Sequence, residues 1–171
     1  MRSARDRGGP AVVALVLLVL AGGFGCSTPP AALRADTLAY LQKMTSWAPV
    51  EAETARTLER IMATQFVDEA ELRRQIAESA PRVQRQLETA TAYEPRTAEV
   101  RRIHGEYTKA WRTLLDGYGA ITTGLDHGEQ AKIADGREAM LRWRDTIVDV
   151  ARDLRALRDR VGVDMSDVTP S

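Results

Sequence analysis

The chain has 171 residues, with 24 lysines and arginines balanced by 24 aspartates and glutamates, so its formal charge is zero. That length has room for one ordinary core, and the balance leaves no basic footprint, so no nucleic-acid partner is expected. Aromatic residues make up only 5%, while Ala, Leu, Glu, Arg and Gln dominate and lose little side-chain freedom in a helix, which tilts the composition towards an all-α fold.

Residues 1–25 fall into three zones: a stretch with Arg2, Arg5 and Arg7 against Asp6, an apolar run over 11–20, and small residues over 21–25. This is the order of a secretory signal peptide. A helix needs about 20 consecutive apolar residues to span a bilayer, and this run gives way to glycines sooner, so a permanent span is the weaker reading. Without the leader the chain keeps 21 basic and 23 acidic residues, a charge of −2.

The single cysteine, Cys26, follows directly on Gly25. The segment Gly23-Phe24-Gly25-Cys26 resembles the lipobox of bacterial lipoproteins, with Gly25 as the small residue before the cut, although Gly23 and Phe24 differ from the favoured pair. The resemblance implies cleavage before Cys26, lipid attachment to its sulfur, and a place in the cell envelope with the membrane as partner. Ser27, where an Asp would retain the protein at the inner membrane, implies the outer membrane facing the periplasm. Two acyl chains, at about 0.8 kcal/mol per buried methylene, make a lasting anchor. An ordinary signal peptide cut elsewhere, leaving a free thiol, is the alternative.

Residues 26–32 read as a lipidated tether, 33–163 as a helical bundle domain and 164–171 as a flexible tail. In the first stretch Leu33, Tyr40, Leu41, Met44 and Trp47 share a helical face until Pro49, after which Ala55, Leu58, Ile61 and Met62 resume the pattern. Either two short helices or one kinked helix follows, with Glu51 and Glu53 suited to a new N-terminus. Asp68 with Glu71 reads as a capping box and Val67 with Leu72 as its hydrophobic staple. The next helix carries Leu72, Ile76, Ala80, Val83, Leu87 and Ala90 inward, with Pro81 expected to kink or split it. Tyr93-Glu94-Pro95 makes a turn.

The last two helices have the clearest periodicity. From Pro95 onward, Val100, Ile103, Tyr107, Ala110, Leu114, Tyr118, Ile121 and Leu125 alternate spacings of three and four. After a second apparent capping box, Asp126 with Glu129, the positions Ile133, Gly136, Met140, Trp143, Ile147, Val150, Leu154, Leu157 and Val161 do the same, and Gly162 suits a C-terminal stop. A connection as short as Leu125 to Gly128 makes these helices antiparallel. The whole reads as an up-down-up-down four-helix bundle with its first helix broken near Pro49. Three helices with a separate N-terminal hairpin is the alternative.

His104 shares a face with Tyr107, Trp111 and Tyr118, and an imidazole there can serve a ligand or simply a core hydrogen bond, the commoner case for a half-buried histidine. A c-type haem site needs Cys-x-x-Cys-His and a di-iron bundle needs Glu-x-x-His on two helices. Neither is present: Glu99 precedes His104 by five positions, and His127, the only other histidine, sits in a turn. No serine has a base at a motif spacing, and Gly117-Tyr118-Gly119 follows a helix where a dinucleotide fingerprint needs a strand. No metal, no cofactor and no catalytic residue is expected. The reading that results is a non-enzymatic, lipid-anchored bundle that binds an envelope partner, protein or glycan. The alternatives are a small-ligand or cofactor carrier using a cavity around His104 and Trp111 and, third, an enzyme using Glu99 or Glu106.

Overall fold

The computed structural model describes residues 30–63 and 68–168. Over them run four long helices, α1 (Pro30–Ala63), α2 (Glu69–Thr91), α3 (Ala98–His127) and α4 (Gln130–Val161), followed by one 3-10 turn, Met165–Asp167. The leader and residues 26–29 of the expected tether lie outside these residues, as do Val67 of the expected staple and positions 169–171, whereas residues 30–32, read as tether, form the first turn of α1, since proline is tolerated at a helix start. No helix among the described residues is long and apolar enough to cross a membrane.

Side-chain contacts fix the directions. Arg34, near the start of α1, donates to the Gly162 carbonyl at 3.4 Å and pairs with Asp167 at 3.1 Å, just past the end of α4. Arg73, near the start of α2, pairs with Asp126 near the end of α3, and Arg102, near the start of α3, meets Asp153 of α4 at 3.0 Å. Each helix therefore runs antiparallel to its neighbours. α1 packs on α2 and α4, α2 on α3, and α3 most extensively on α4, which makes an up-down-up-down four-helix bundle.

All eight apolar positions expected on α3 are buried, from Val100 to Leu125, each aliphatic side chain contributing about 1.5–3 kcal/mol through the water it sheds. On α4 the expected set is buried or half-buried throughout. Where α3 crosses α4 the backbones approach closely. A Cβ on Gly117 would stand 3.0 Å from the Gly136 carbonyl oxygen, and one on Gly136 would stand 2.5 Å from that of Gly117. Small residues here permit a contact that any larger side chain would prop open.

α1 does not break at Pro49, and α2 does not break at Pro81; each proline sits inside a continuous helix. Both prolines are exposed, as are Thr45 and Ala77, whose carbonyls lose their usual donor four residues on. Water can satisfy those carbonyls, so the missing hydrogen bond is tolerated without ending the helix. Pro49→Ala and Pro81→Ala should each raise the unfolding free energy in urea by about 1 kcal/mol or more. A loss at both sites would mean that the prolines shape the helices for packing.

Helix ends show what the capping patterns miss. The Asp68 side chain accepts from the Ala70 N–H at 3.2 Å, but Glu71 turns to Arg74 and Gln75 instead of back to Asp68, and the Arg74 hydrogen bond, then that of Gln75, holds its pKa down to about 2. At the second apparent box, Asp126 is still helical, and Glu129 occupies the N-cap of α4 without a side-chain cap bond. Gly128 makes the turn, in the left-handed region at φ 69°. Gly162, at φ 66°, ends α4 as expected, with the Val163 N–H bonded to the Arg158 carbonyl at 3.2 Å. Beyond it the segment read as a flexible tail forms the 3-10 turn over its described part: Asp164 accepts from the Ser166 N–H at 2.9 Å, and Asp167 is the partner of Arg34.

The inward face of α1 is partly polar, as is that of α2 with its buried Ser79 and Gln86. Thr37, Thr54 and Thr57 are buried, and each hydroxyl donates to the carbonyl four residues earlier, at 2.8, 2.8 and 3.0 Å. These groups are satisfied within their own helix. Asp36 is buried too, and one of its oxygens accepts from the backbone N–H groups of Arg96 and Thr97 and from the Thr97 hydroxyl, at 3.0, 2.7 and 2.7 Å. It thereby caps the start of α3 from another helix, a task that no side chain of the 92–97 turn performs.

Candidate functional site

The three- and four-residue spacings along α3 put His104, Tyr107, Trp111 and Tyr118 on its core face, and all four are buried, at 8%, 0%, 0% and 1% exposure. Three of them join a larger string of rings. Tyr40 and Trp47 of α1 and Tyr93 of the 92–97 turn surround His104 at centroid distances of 5.5, 6.3 and 5.7 Å. Trp47 stacks on Tyr107 at 5.4 Å, Tyr107 meets Trp111 edge-on at 6.1 Å, and Trp111 meets Trp143 of α4 at 5.3 Å. Such pairs add about 0.5–1.5 kcal/mol each beyond the area they bury. Tyr118 stands apart, its hydroxyl buried towards Ser79 and Arg82 and its pKa raised chiefly by that burial.

His104 is held from several sides. Its Nδ1 lies 3.3 Å from the Tyr40 hydroxyl, and the carbonyls of Ala90 and Tyr93 also take up its hydrogen-bonding capacity. Burial lowers its pKa below the ordinary 6.5, more strongly than those carbonyls raise it, so the ring is neutral. Such an imidazole pins α1 and the end of α2 to α3. Among the described residues no group of three or more His, Cys, Asp or Glu side chains is placed to hold a metal.

The lowered pKa fixes the sign of a pH effect. Below pH 6.5 the unfolded chain takes up a proton that folded His104 refuses, so stability falls with acidification from that value through the folded pKa. His104→Gln should flatten the stability-versus-pH profile from pH 6.5 downward in denaturation series run at several pH values. An unchanged slope would place the titrating groups elsewhere.

Next along the string is a polar junction that the sequence pattern did not mark. The Tyr107 hydroxyl donates to Glu51 Oε1 and accepts from Gln86 Nε2, both at 2.8 Å, linking α1, α3 and α2. Glu51, read from sequence as an acid at a helix start, instead turns inward because α1 continues through Pro49. Desolvation raises its pKa, against the lowering effect of the Tyr107 hydrogen bond, and burial likewise raises the Tyr107 and Tyr40 hydroxyls well above the ordinary tyrosine range. A carboxylate of this kind can accept a proton, yet its near neighbours are already committed to it, so the junction ties helices together.

Two grooves open on the surface instead. One, of about 280 Å³, lies between α1 and α2 and is lined by Glu53, Arg60, Glu71, Arg74, Glu78 and Arg82 among others. The second, of about 290 Å³, lies between α3 and α4 and is lined by Ile103, Glu106, Asp149, Val150 and Asp153 among others. Neither borders His104 or Trp111. Their rims are laced with ion pairs: Arg74 with Glu71 and Glu78 at 2.6 and 2.7 Å, Arg82 with Glu53 at 3.4 Å, Arg152 with Asp149 at 2.8 Å and Arg102 with Asp153 at 3.0 Å. Exposed pairs like these are worth about 0–1 kcal/mol. Glu106 stands 3.7 Å from Lys109, and Glu99 is half-buried in the first turn of α3.

Compared with protein-family models, with curated proteins and with solved structures, the chain finds no match.

Proposed function

We propose that this is a lipid-anchored protein of the bacterial cell envelope, a non-enzymatic helical bundle held at the outer membrane through acylated Cys26, facing the periplasm and binding an envelope partner, protein or glycan. The observation that carries this reading is the leader itself: a basic stretch, an apolar run too short to span, and one cysteine directly behind a glycine. What the bundle devotes its interior to supports it further, because His104, Tyr107 and Trp111 are packed against other side chains and engaged in joining helices. A carrier with its ligand at those residues would have to displace that packing.

Cells expressing the full chain and fed radiolabelled palmitate should label it, and Cys26→Ser should abolish the label and release the protein from the membrane fraction. Equal labelling of the two forms, or none of either, refutes the anchor. Photo-crosslinkers at exposed positions on each helix, activated in intact cells, should trap a discrete envelope component from one face of the bundle.

A further inference from the structure

Acylation at Cys26 has a geometric consequence, and the inference drawn from it rests on the lipoprotein reading above. α1 begins at Pro30, so only residues 27–29 separate the acylated residue from the first helical turn. Fully extended, three residues reach about 10–11 Å. The start of α1 therefore cannot stand far from the headgroups.

That start belongs to one end of the bundle, together with the 92–97 turn and the 162–168 segment. Asp36 binds the backbone of Arg96 and Thr97, and Arg34 binds the Gly162 carbonyl and Asp167. Those bonds tie the three pieces into one surface. Arg96, Arg101 and Arg160 are exposed there among the equally exposed acids Glu94, Asp159, Asp164 and Asp167, so the charge is mixed; exposed too is Met165, at 51%, one of only three large apolar side chains that are exposed among the described residues. Cationic side chains suit lipid phosphates and an exposed methionine suits the interfacial layer. The opposite end, with the Gly128 turn, lies the length of α3 away, about 45 Å at 1.5 Å per residue.

We infer that this end of the bundle, formed by the start of α1, residues 92–97 and residues 162–168, rests on the lipid surface. The helices then stand close to upright and the Gly128 turn is the tip offered to the periplasm. The partner of this surface is a phospholipid headgroup layer.

The test uses the full, lipidated chain in vesicles of phosphatidylcholine and phosphatidylglycerol whose headgroups carry a nitroxide quencher. Single cysteines at Met165→Cys and Gln130→Cys, both exposed positions, take a thiol-reactive fluorophore, since Cys26 is blocked by its lipid. Strong quenching at 165 with little at 130 is the expected result. Comparable quenching at both, or more at 130, overturns the upright placement while leaving the anchor intact. The two readings are separated by flotation of the unlabelled chain: if it does not float with vesicles, the anchor fails and the orientation with it. If it floats but the labels report a bundle lying flat, only the orientation fails. Melting curves of both variants matched to the parent exclude a folding artefact.

Discussion

Gly136→Ala should lower the unfolding free energy by about 2–4 kcal/mol, while Gly119→Ala should raise it by up to about 1 kcal/mol. The two substitutions are chemically the same, and both remove a helix-weakening glycine. Their surroundings differ. At Gly119 a new Cβ meets nothing within 4 Å, whereas at Gly136 it would press on Ile121 and stand 2.5 Å from the Gly117 carbonyl oxygen. A backbone oxygen cannot swing aside as a flexible side chain can, so α3 and α4 must separate and the well-packed layers on either side lose contact. Urea denaturation of the two variants beside the parent measures both signs. Gly136→Ala matching the parent would mean that this crossing has slack that the geometry denies it.

Asp36→Ala is expected to cost a similar amount, about 2–4 kcal/mol, because it strands the groups at the head of α3. Two backbone N–H groups and the Thr97 hydroxyl converge on one oxygen of a side chain only 4% exposed. Removing the acceptor leaves the two buried Thr97 donors without a partner, while the part-buried Arg96 N–H keeps some access to water. Asp36→Asn keeps an oxygen of the same shape and should lose distinctly less, through the missing charge alone. Chemical denaturation ranks the three proteins, and hydrogen exchange at Arg96 and Thr97 should quicken in the alanine variant. An alanine variant within about 0.5 kcal/mol of the parent, the usual range for a surface substitution, would show that the cap is dispensable.

How much of this was open to reading from the chain depends on what each residue needs from its neighbours. The seam of α3 and α4 was legible, from Val100 to Leu125 and from Ile133 to Val161, since a period of three and four records which face meets the core and nothing distant alters it. The stop at Gly162 was legible because left-handed backbone is a local demand. Of the two readings left open at the prolines, a split or a kink, the split fails: whether Pro49 ends a helix turns on the hydration of the Thr45 carbonyl, and that is settled by tertiary placement. The continuation of α1 then carries Glu51 inward, so an acid assigned to a helix start became the partner of Tyr107. Asp36 gives no local sign at all, because the helix it caps begins some 60 positions later. For the candidate site, the pattern put His104, Tyr107, Trp111 and Tyr118 on one face. It had no means of adding Tyr40, Trp47 and Tyr93, which arrive from elsewhere in the chain.

The threonines on the inner side of α1 have a consequence for how the molecule comes apart. Thr37, Thr54 and Thr57 bond to carbonyls of their own helix, so undocking α1 leaves none of them wanting a partner. Arg34, Asp36, Tyr40, Glu51 and Glu53 carry its polar bonds to the remainder. α1 can therefore peel away with few polar groups left wanting, ahead of the α3–α4 hairpin, the most extensively packed pair of helices among the described residues.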